Sequence, residues 1–505
     1  MTKRFLKIVV LMMKKHMWVN SQRLIGLSVI STVVCGAMPP AIASPLFVGH
    51  NFTGLTFQDG PVIPADSSGA VGNQHIVQVT NQGFAVYDKT NGQILQKTSL
   101  DHFWRSTGLP TANATNNFDP RIAYDPTSQR WISIAADRTD LNGDVANFPL
   151  GNRVVLAVSN NADPTQGWQG FALPASQSSQ LGFADAPSLG IDADGVYIAA
   201  NMFDASLNNR TSTLFAIAKS DLLTASTGSS LHYDTLFGVE NSRYGNSLQP
   251  VTDFSNPADG QADFLSAFNG DAVQRSTLTL DGTLAQPQHI DVNDFSRAPN
   301  ALQPNSSQNL ETGDPRFSSA VVRVGDSIWA VNTSADAVGN RSVIRWYELD
   351  AQTNQVKQQG EIGDGEHDYF YPSIALNATG NVVIGFNRSG HDEFVSSYGI
   401  AGVTIGGITT FGQPTLLQAG TDNYFRTFGF GRNRWGDSSA TVLDPSDPQS
   451  FWTFQQVARA NNEWSTQITQ IRLGPTAQTP EPMVALGLCV AIGGMAGRNR
   501  SQSRR

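Results

Sequence analysis

A unit of about 60 residues recurs along most of this 505-residue chain, and it limits the possible folds more than any other feature. Each copy opens on an Asp or Pro landmark, runs into a short strand of alternating apolar residues, turns at Gly or Asn-Gly, and continues into a second strand. Copies begin near Asp66, Asp119, Asp185, Gln249, Asp314, Tyr371 and Arg434, and the Gln249 copy is the most degraded. With Ser67, Pro120, Pro187, Pro250, Pro315, Pro372 and Ser438 taken as equivalent points, the steps are 53, 67, 63, 65, 57 and 66 residues. Seven such units of three or four antiparallel strands predict an all-β chain forming a single seven-bladed β-propeller. A sandwich spaces its strands more closely without the longer repeat, and the coils of a β-helix are far shorter.

Composition fits that reading. The two cysteines, Cys35 and Cys489, both lie outside the repeats, so the repeated body has neither a disulfide nor a cysteine nucleophile. Stability must then come from packing between sheets, and the 46 glycines suit many short strands joined by turns. The formal net charge is -9, and it becomes -19 once the six basic residues of the amino-terminal segment and the four of the extreme carboxyl end are set aside. A body so acidic repels a phosphate backbone, which excludes nucleic acid as a partner.

The two ends read as addresses. Lys3, Arg4, Lys7, Lys14, Lys15 and Arg23 precede an apolar stretch over 24–38, and Ala41-Ile42-Ala43 before Ser44 is a small-x-small site for signal peptidase. Residues 1–43 are therefore expected to be a signal peptide cut between Ala43 and Ser44, followed by an extension over 44–65 and the propeller over 66–474. At the other end, a linker over 475–482 carries Pro480-Glu481-Pro482, an apolar segment covers 483–497, and the basic tail 498–505 contains Arg498, Arg500, Arg504 and Arg505. Fifteen apolar residues rise about 22 Å as a helix, short of a comfortable membrane span. The order of tripeptide, apolar run and arginines closely resembles the PEP-CTERM sorting tail of exported bacterial proteins. That resemblance implies a hydrophobic sorting helix that enters the membrane transiently, recognition by an exosortase-type processing enzyme, and delivery to the cell surface, outer envelope or extracellular matrix.

The phrases Asp119-Pro-Arg-Ile-Ala-Tyr-Asp-Pro, Pro187-Ser-Leu-Gly-Ile-Asp and Arg434-Trp-Gly-Asp resemble those of exported, sialidase-like bacterial propellers over roughly residues 60 to 474. Residues 159–168 are similar to a degenerate Asp-box, a turn in which an Asp accepts backbone hydrogen bonds and a Trp packs. The resemblance implies architecture and surface location rather than a chemistry.

A sialidase-type site needs three arginines for a carboxylate, a Tyr nucleophile with a Glu partner, and an acid. Arg121, Arg316 and Arg434, with Asp119, Asp314 and Asp437, are expected at the starts of inner strands, where the central channel opens; Asp66, Asp185 and Tyr371 are expected as ligand-binding neighbours. Their recurrence from blade to blade argues for repeated structural contacts, whereas a catalytic group is needed once. The expected function is therefore a noncatalytic module binding polysaccharide or a surface protein, the alternative being a glycan-active hydrolase or lyase. No cofactor is evident. The histidines lack ligand spacing for zinc, while the oxygen-rich runs 140–144 and 192–195 make Ca²⁺ possible, although turn formation alone accounts for both.

Overall fold

The computed structural model describes residues 45–109, 116–138, 152–177, 182–225, 230–254, 258–427 and 431–474. The signal peptide with its Ala43 and Ser44, the run 140–144, Pro480, Glu481, Pro482 and the sorting segment lie outside the described residues. Among the described residues, no helix is long and apolar enough to cross a membrane.

The alternating runs form seven blades of antiparallel strands. Blade 1 comprises Ser68–Val71, His75–Val79, Gly83–Asp88 and Ile94–Ser99; blade 2 comprises Phe118–Asp125, Arg130–Asp137, Arg153–Ser159 and Trp168–Pro174. Blade 3 holds Phe183–Ile191, Gly195–Phe203, Asn209–Ala218 and Asp234–Glu240, and blade 4 holds Gln249–Thr252, Gln261–Phe268, Ala272–Thr279 and Gln288–Asp291. Blade 5 is Val321–Val324, Ser327–Ala335, Ser342–Asp350 and Val356–Ile362. Blade 6 is Asp368–Leu376, Asn381–Ser389 and Ser396–Ile405, whose outer side pairs with both Ile408–Phe411 and Thr415–Gln418. The first strand of each blade touches the first strands of both neighbours, and the cycle closes between blades 7 and 1. The sequence landmarks all fall at or just before these inner strands.

Blade 7 corrects the predicted boundary. Its strands Ala440–Asp444, Asp447–Arg459 and Glu463–Leu473 are completed by Leu46–Thr56, which pairs antiparallel with Glu463–Leu473. The propeller thus begins at Leu46 rather than at Asp66, and the stretch read as an extension is the strand that locks the ring. The degraded fourth copy also has a structural reason. Its inner strand is only four residues long, contains Pro250, and runs parallel to the inner strand of blade 5, Val251 facing Val321, so blades 4 and 5 join in one sheet.

Each of the seven seams between blades buries its own apolar cluster. The tryptophans serve these seams, as Trp131 does between blades 1 and 2 and Trp346 between blades 5 and 6. Seams are tight enough to dictate residue size: a Cβ on Gly190 of blade 3 would lie 2.7 Å from the Pro250 carbonyl oxygen of blade 4. At the lower ends of the inner strands a carboxylate or amide caps the turn to the second strand. Asp125 accepts from the Thr127 amide, Asp192 from Asp194 and Gly195, Asn377 from Thr379, and Asp444 from Ser446. Two of these caps also receive buried lysines from the following blade, Lys219 on Asp125 at 2.8 Å and Lys89 on Asp444 at 2.6 Å. The Asp-box-like loop behaves as expected, with Asp163 accepting from the Thr165 amide and Trp168 buried.

Candidate functional site

The upper ends of the inner strands place one backbone feature in blade after blade. Asp66, Asp119, Ala186, Ser247 and Tyr371 all have left-handed φ, between 46° and 51°, and bulges follow at 118/121, 185/188 and 370/373. Such a conformation costs a non-glycine residue roughly 1 to 2 kcal/mol. What holds it is a hydrogen bond from the twisted residue's amide to a side-chain oxygen of the preceding blade. Asp119 donates to Asn81 at 2.6 Å, Ala186 to Asp119 at 3.0 Å, Ser247 to Asn201 at 2.9 Å and Tyr371 to Thr333 at 3.0 Å. Between blades 7 and 1 the Asp437 amide donates to Asp66 at 2.7 Å. Asp66 and Asp119 thus have the repeated structural duty that their recurrence implied.

The same turns crowd charged groups around the channel mouth. Arg434 grips Asp437 through both terminal nitrogens at 3.0 and 2.8 Å, and one of them also reaches Glu311 at 2.9 Å. Arg432 caps the other Glu311 oxygen, and Arg316 Nε lies 2.8 Å from Asp314. Arg121 donates from Nε to the Pro187 carbonyl at 3.3 Å. All three predicted arginines lie within electrostatic reach of Asp437. Burial works against the charge on Asp437, yet Arg434 and Arg316 together hold its carboxyl below the usual range.

The remaining carboxylates are pushed the other way. Burial, reinforced by Asp185, raises Asp119 to about 7. Burial, with Asp437 and Asp119, raises Asp66 well above its ordinary value, and burial raises Asp185. The carboxyl groups of Asp66 and Asp119 share a hydrogen bond, as acids must when they adjoin in a poorly solvated place. Burial also raises Tyr371, whose hydroxyl donates to the Glu311 carbonyl oxygen at 3.3 Å. Its phenol is therefore kept neutral, and the Glu311 carboxylate faces arginines instead of the phenol.

This arrangement predicts a pH effect. A carboxyl raised in the folded state contributes stability that is complete below its unfolded value near 4 and is lost as pH rises through about 7. Asp119→Asn keeps an acceptor for the Ala186 amide and removes the charge. Denaturant titrations at pH 5 and pH 8 should find the variant's advantage over the parent larger at pH 8 than at pH 5 by about 2 to 3 kcal/mol. An equal difference at both pH values would contradict the raised carboxyl.

Sequence reasoning brought together Asp66, Asp119, Arg121, Asp185, Asp314, Arg316, Tyr371, Arg434 and Asp437, but expected four of them on the wrong element. Arg434 and Asp437 precede Ala440–Asp444 on the connection from blade 6. Asp314 and Arg316 precede the short strand Val321–Val324 and sit on the connection from blade 4, not at the start of a strand. It missed Glu311, Arg432, Arg297 and Arg210. These lie in or beside long connections and hairpins outside the repeat, and only the proximity of Glu311 to the Asp314-Pro-Arg phrase and of Arg432 to Arg434 marked them. The connections over 292–320 and 419–439 pack together above blade 6, where Gln303 bonds to Tyr424 and Trp435 is buried against Tyr424.

Between blade 3 and these connections opens a cleft of about 580 Å³, lined by Asp185, Phe203, Leu207, Arg210, Asp314, Arg316, Arg432, Arg434 and Asp437. Arg210 and Arg432 are 75% and 53% exposed on its rim, and the exposed Arg297 lies 3.8 Å from Glu311, the carboxylate that Arg432 also holds. Among the described residues, no group of three or more His, Cys, Asp or Glu side chains is disposed to hold a metal ion. Asp192, in the run read as a possible Ca²⁺ loop, spends its Oδ1 on the Asp194 and Gly195 amides.

No family profile and no curated protein matches the chain. Among solved structures it is similar to Trypanosoma rangeli sialidase, with 9% identity and a TM-score of 0.39 over 84% of this chain and 60% of that one. It is also similar to the BP39L lectin of Burkholderia pseudomallei, with 10% identity and a TM-score of 0.43 over 80% and 94%. A third likeness is to the Dos1 propeller, at 8% identity, a TM-score of 0.39, and coverage of 84% and 94%. The chain spans about 60% of the length of the sialidase structures it matches.

Proposed function

We propose that this chain is an exported, noncatalytic β-propeller that binds an acidic polysaccharide of the cell surface or extracellular matrix at its channel mouth. In this reading signal peptidase removes residues 1–43, and an exosortase-type enzyme reads Pro480, Glu481 and Pro482. Both cuts leave Leu46–Thr56 and Glu463–Leu473 whole. The observation that carries the binding proposal is the rim of solvent-facing arginines, Arg210, Arg297 and Arg432, over a cleft in an otherwise acidic body. Guanidinium groups pair with carboxylates in two-pronged geometry, while the acidic remainder of the surface repels polyanions from other faces. Leu207 and Phe203 supply apolar surface for a sugar ring beside them.

The convergence of Arg121, Arg316 and Arg434 favours the hydrolase or lyase alternative. Against it, Arg316 and Arg434 are already matched by Asp314, Asp437 and Glu311, and the Tyr371 phenol is neutral and donates to the Glu311 backbone carbonyl oxygen instead of to a carboxylate. Calorimetric titration with polygalacturonate and with neutral dextran separates the readings. Binding of the polyuronate alone is expected, weakened about tenfold by Arg210→Ser with Arg432→Ser, steeply salt-dependent, and without release of shorter saccharides. Equal affinity for dextran, or cleavage of the polymer, would contradict the proposal.

A further inference from the structure

Below the charged mouth the channel changes character. A lumen of about 440 Å³ runs down the axis, and its wall includes Val71, Ile122, Leu189, Val322, Ile374 and Leu376, contributed by blades 1, 2, 3, 5 and 6. Its lower mouth is rimmed by Pro126, Phe254 and Pro445, with Phe254 43% exposed. The charged groups that line it there are engaged: Asp444 holds Lys89 and Trp452, and Arg323 bonds to the Gly325 carbonyl and pairs with Asp253. The upper end is polar, with Ser68, Ser373, Ser439 and Arg121.

Two features of that upper end point to a ligand. The Arg121 side chain lines the lumen, and its only hydrogen bond among the described residues is the one from Nε to the Pro187 carbonyl, which leaves both terminal nitrogens available to an anion. Ser319 also lines the lumen there, is 4% exposed, and its hydroxyl has no hydrogen-bond partner among the described residues. Burial lowers the affinity of Arg121 for its proton, although the group remains a cation, and an arriving carboxylate would relieve that cost. From Arg121 to Pro126 the strand spans about 17 Å, the length of an extended chain of roughly a dozen carbons.

We propose that the lumen binds one straight-chain carboxylate, its head on Arg121 and Ser319 and its alkyl chain directed along the apolar wall to the mouth at Phe254. An apolar cavity with a few converging polar groups is the usual form of a small-ligand site, and charge complementarity at the polar upper end selects an acid over an uncharged amphiphile. This site is separate from the arginine rim above it and takes a different class of ligand.

Titration of the full-length chain with sodium laurate below its micellar concentration, with dodecanol as the uncharged comparison, tests this directly. One laurate per chain is expected, bound at least about tenfold more tightly than dodecanol. Ala320→Phe, which places a ring in the lumen from a residue exposed to it, should abolish binding with an unchanged melting temperature. Arg121→Gln should weaken laurate about tenfold and leave dodecanol unaffected. Failure to bind laurate, equal affinity for dodecanol, or undiminished binding by the folded Ala320→Phe variant would each overturn the proposal.

Discussion

Removing residues 45–56 is expected to cost the propeller on the order of 5 kcal/mol or more, a large share of the stability of an ordinary domain. The deletion strips the outer strand from blade 7 and exposes the edge of Glu463–Leu473 along its length. It also removes Leu55, which is fully buried at the seam between blades 7 and 1, and full burial of such a side chain is worth about 2 kcal/mol. Three hydrogen-bonded ties go with it: the Leu55 amide to Gln78 at 2.9 Å, the Thr466 hydroxyl to the Leu55 carbonyl at 2.8 Å, and the Thr469 hydroxyl to Asn51 at 2.9 Å. Because the strand ties the start of the described chain to its last strand, its loss removes the clasp on blade 7 and leaves the ring held there only by the contacts of Ser68–Val71 with Ala440–Asp444 and Asp447–Arg459. Thermal melting and size-exclusion chromatography should show a large drop in melting temperature and self-association through the bared edge. A deletion variant that melts within a few degrees of the parent would mean that the ring closes by other contacts.

The second large effect is expected from Arg434→Met. Arg434 neutralises Asp437 and Glu311 together, and Glu311 is nearly inaccessible. Burial disfavours the charge on Arg434, but the Asp437 carboxylate outweighs it, so Arg434 keeps its proton more firmly than a free guanidinium does. Removing one member of a buried pair leaves an uncompensated charge and typically costs 3–5 kcal/mol. Asp437, no longer held down by Arg434, would then be pushed upward in pKa, so the variant should lose most stability at neutral pH and recover part of it near pH 4. Adding Glu311→Gln should restore about 1 to 2 kcal/mol, because a buried carboxylate that has lost one of its guanidinium partners and keeps only Arg432 and Arg297 is removed. Denaturant titrations of the two single variants and the double variant measure that coupling. Strict additivity would show that the two side chains act independently.

These effects also mark where the sequence was informative. The landmarks at Pro120, Pro187 and Pro372 lie within inner strands because each unit must solve the same local problem, a left-handed residue followed by a bulge at the channel mouth. Repetition made that visible without coordinates. It likewise marked Asp66 and Asp119, which receive amides from neighbouring blades. The role of Leu46–Thr56 was not legible, since its partner strand lies more than 400 residues away and nothing local distinguishes a closing strand from an extension. Glu311, Arg297 and Arg432 escaped for a related reason: they sit on connections outside the repeat and meet only after the ring has closed. The apolar lumen escaped because residues such as Ile122 and Ile374 look the same whether a strand packs against a neighbour or borders a channel.

Pairing of Leu46–Thr56 with Glu463–Leu473 clasps the ring where blades 7 and 1 meet, the seam at which the Asp437 amide donates to Asp66. A body without cysteines offers a direct probe of it. Phe47 and Arg472 are register partners across the closing pair, and both are exposed. In the chain over 44–474 carrying Phe47→Cys and Arg472→Cys, mild oxidation followed by intact mass and nonreducing electrophoresis should show one intramolecular disulfide, no free thiol, and faster migration than the reduced form. Two free thiols, or crosslinking only between molecules, would contradict the closed seven-bladed ring.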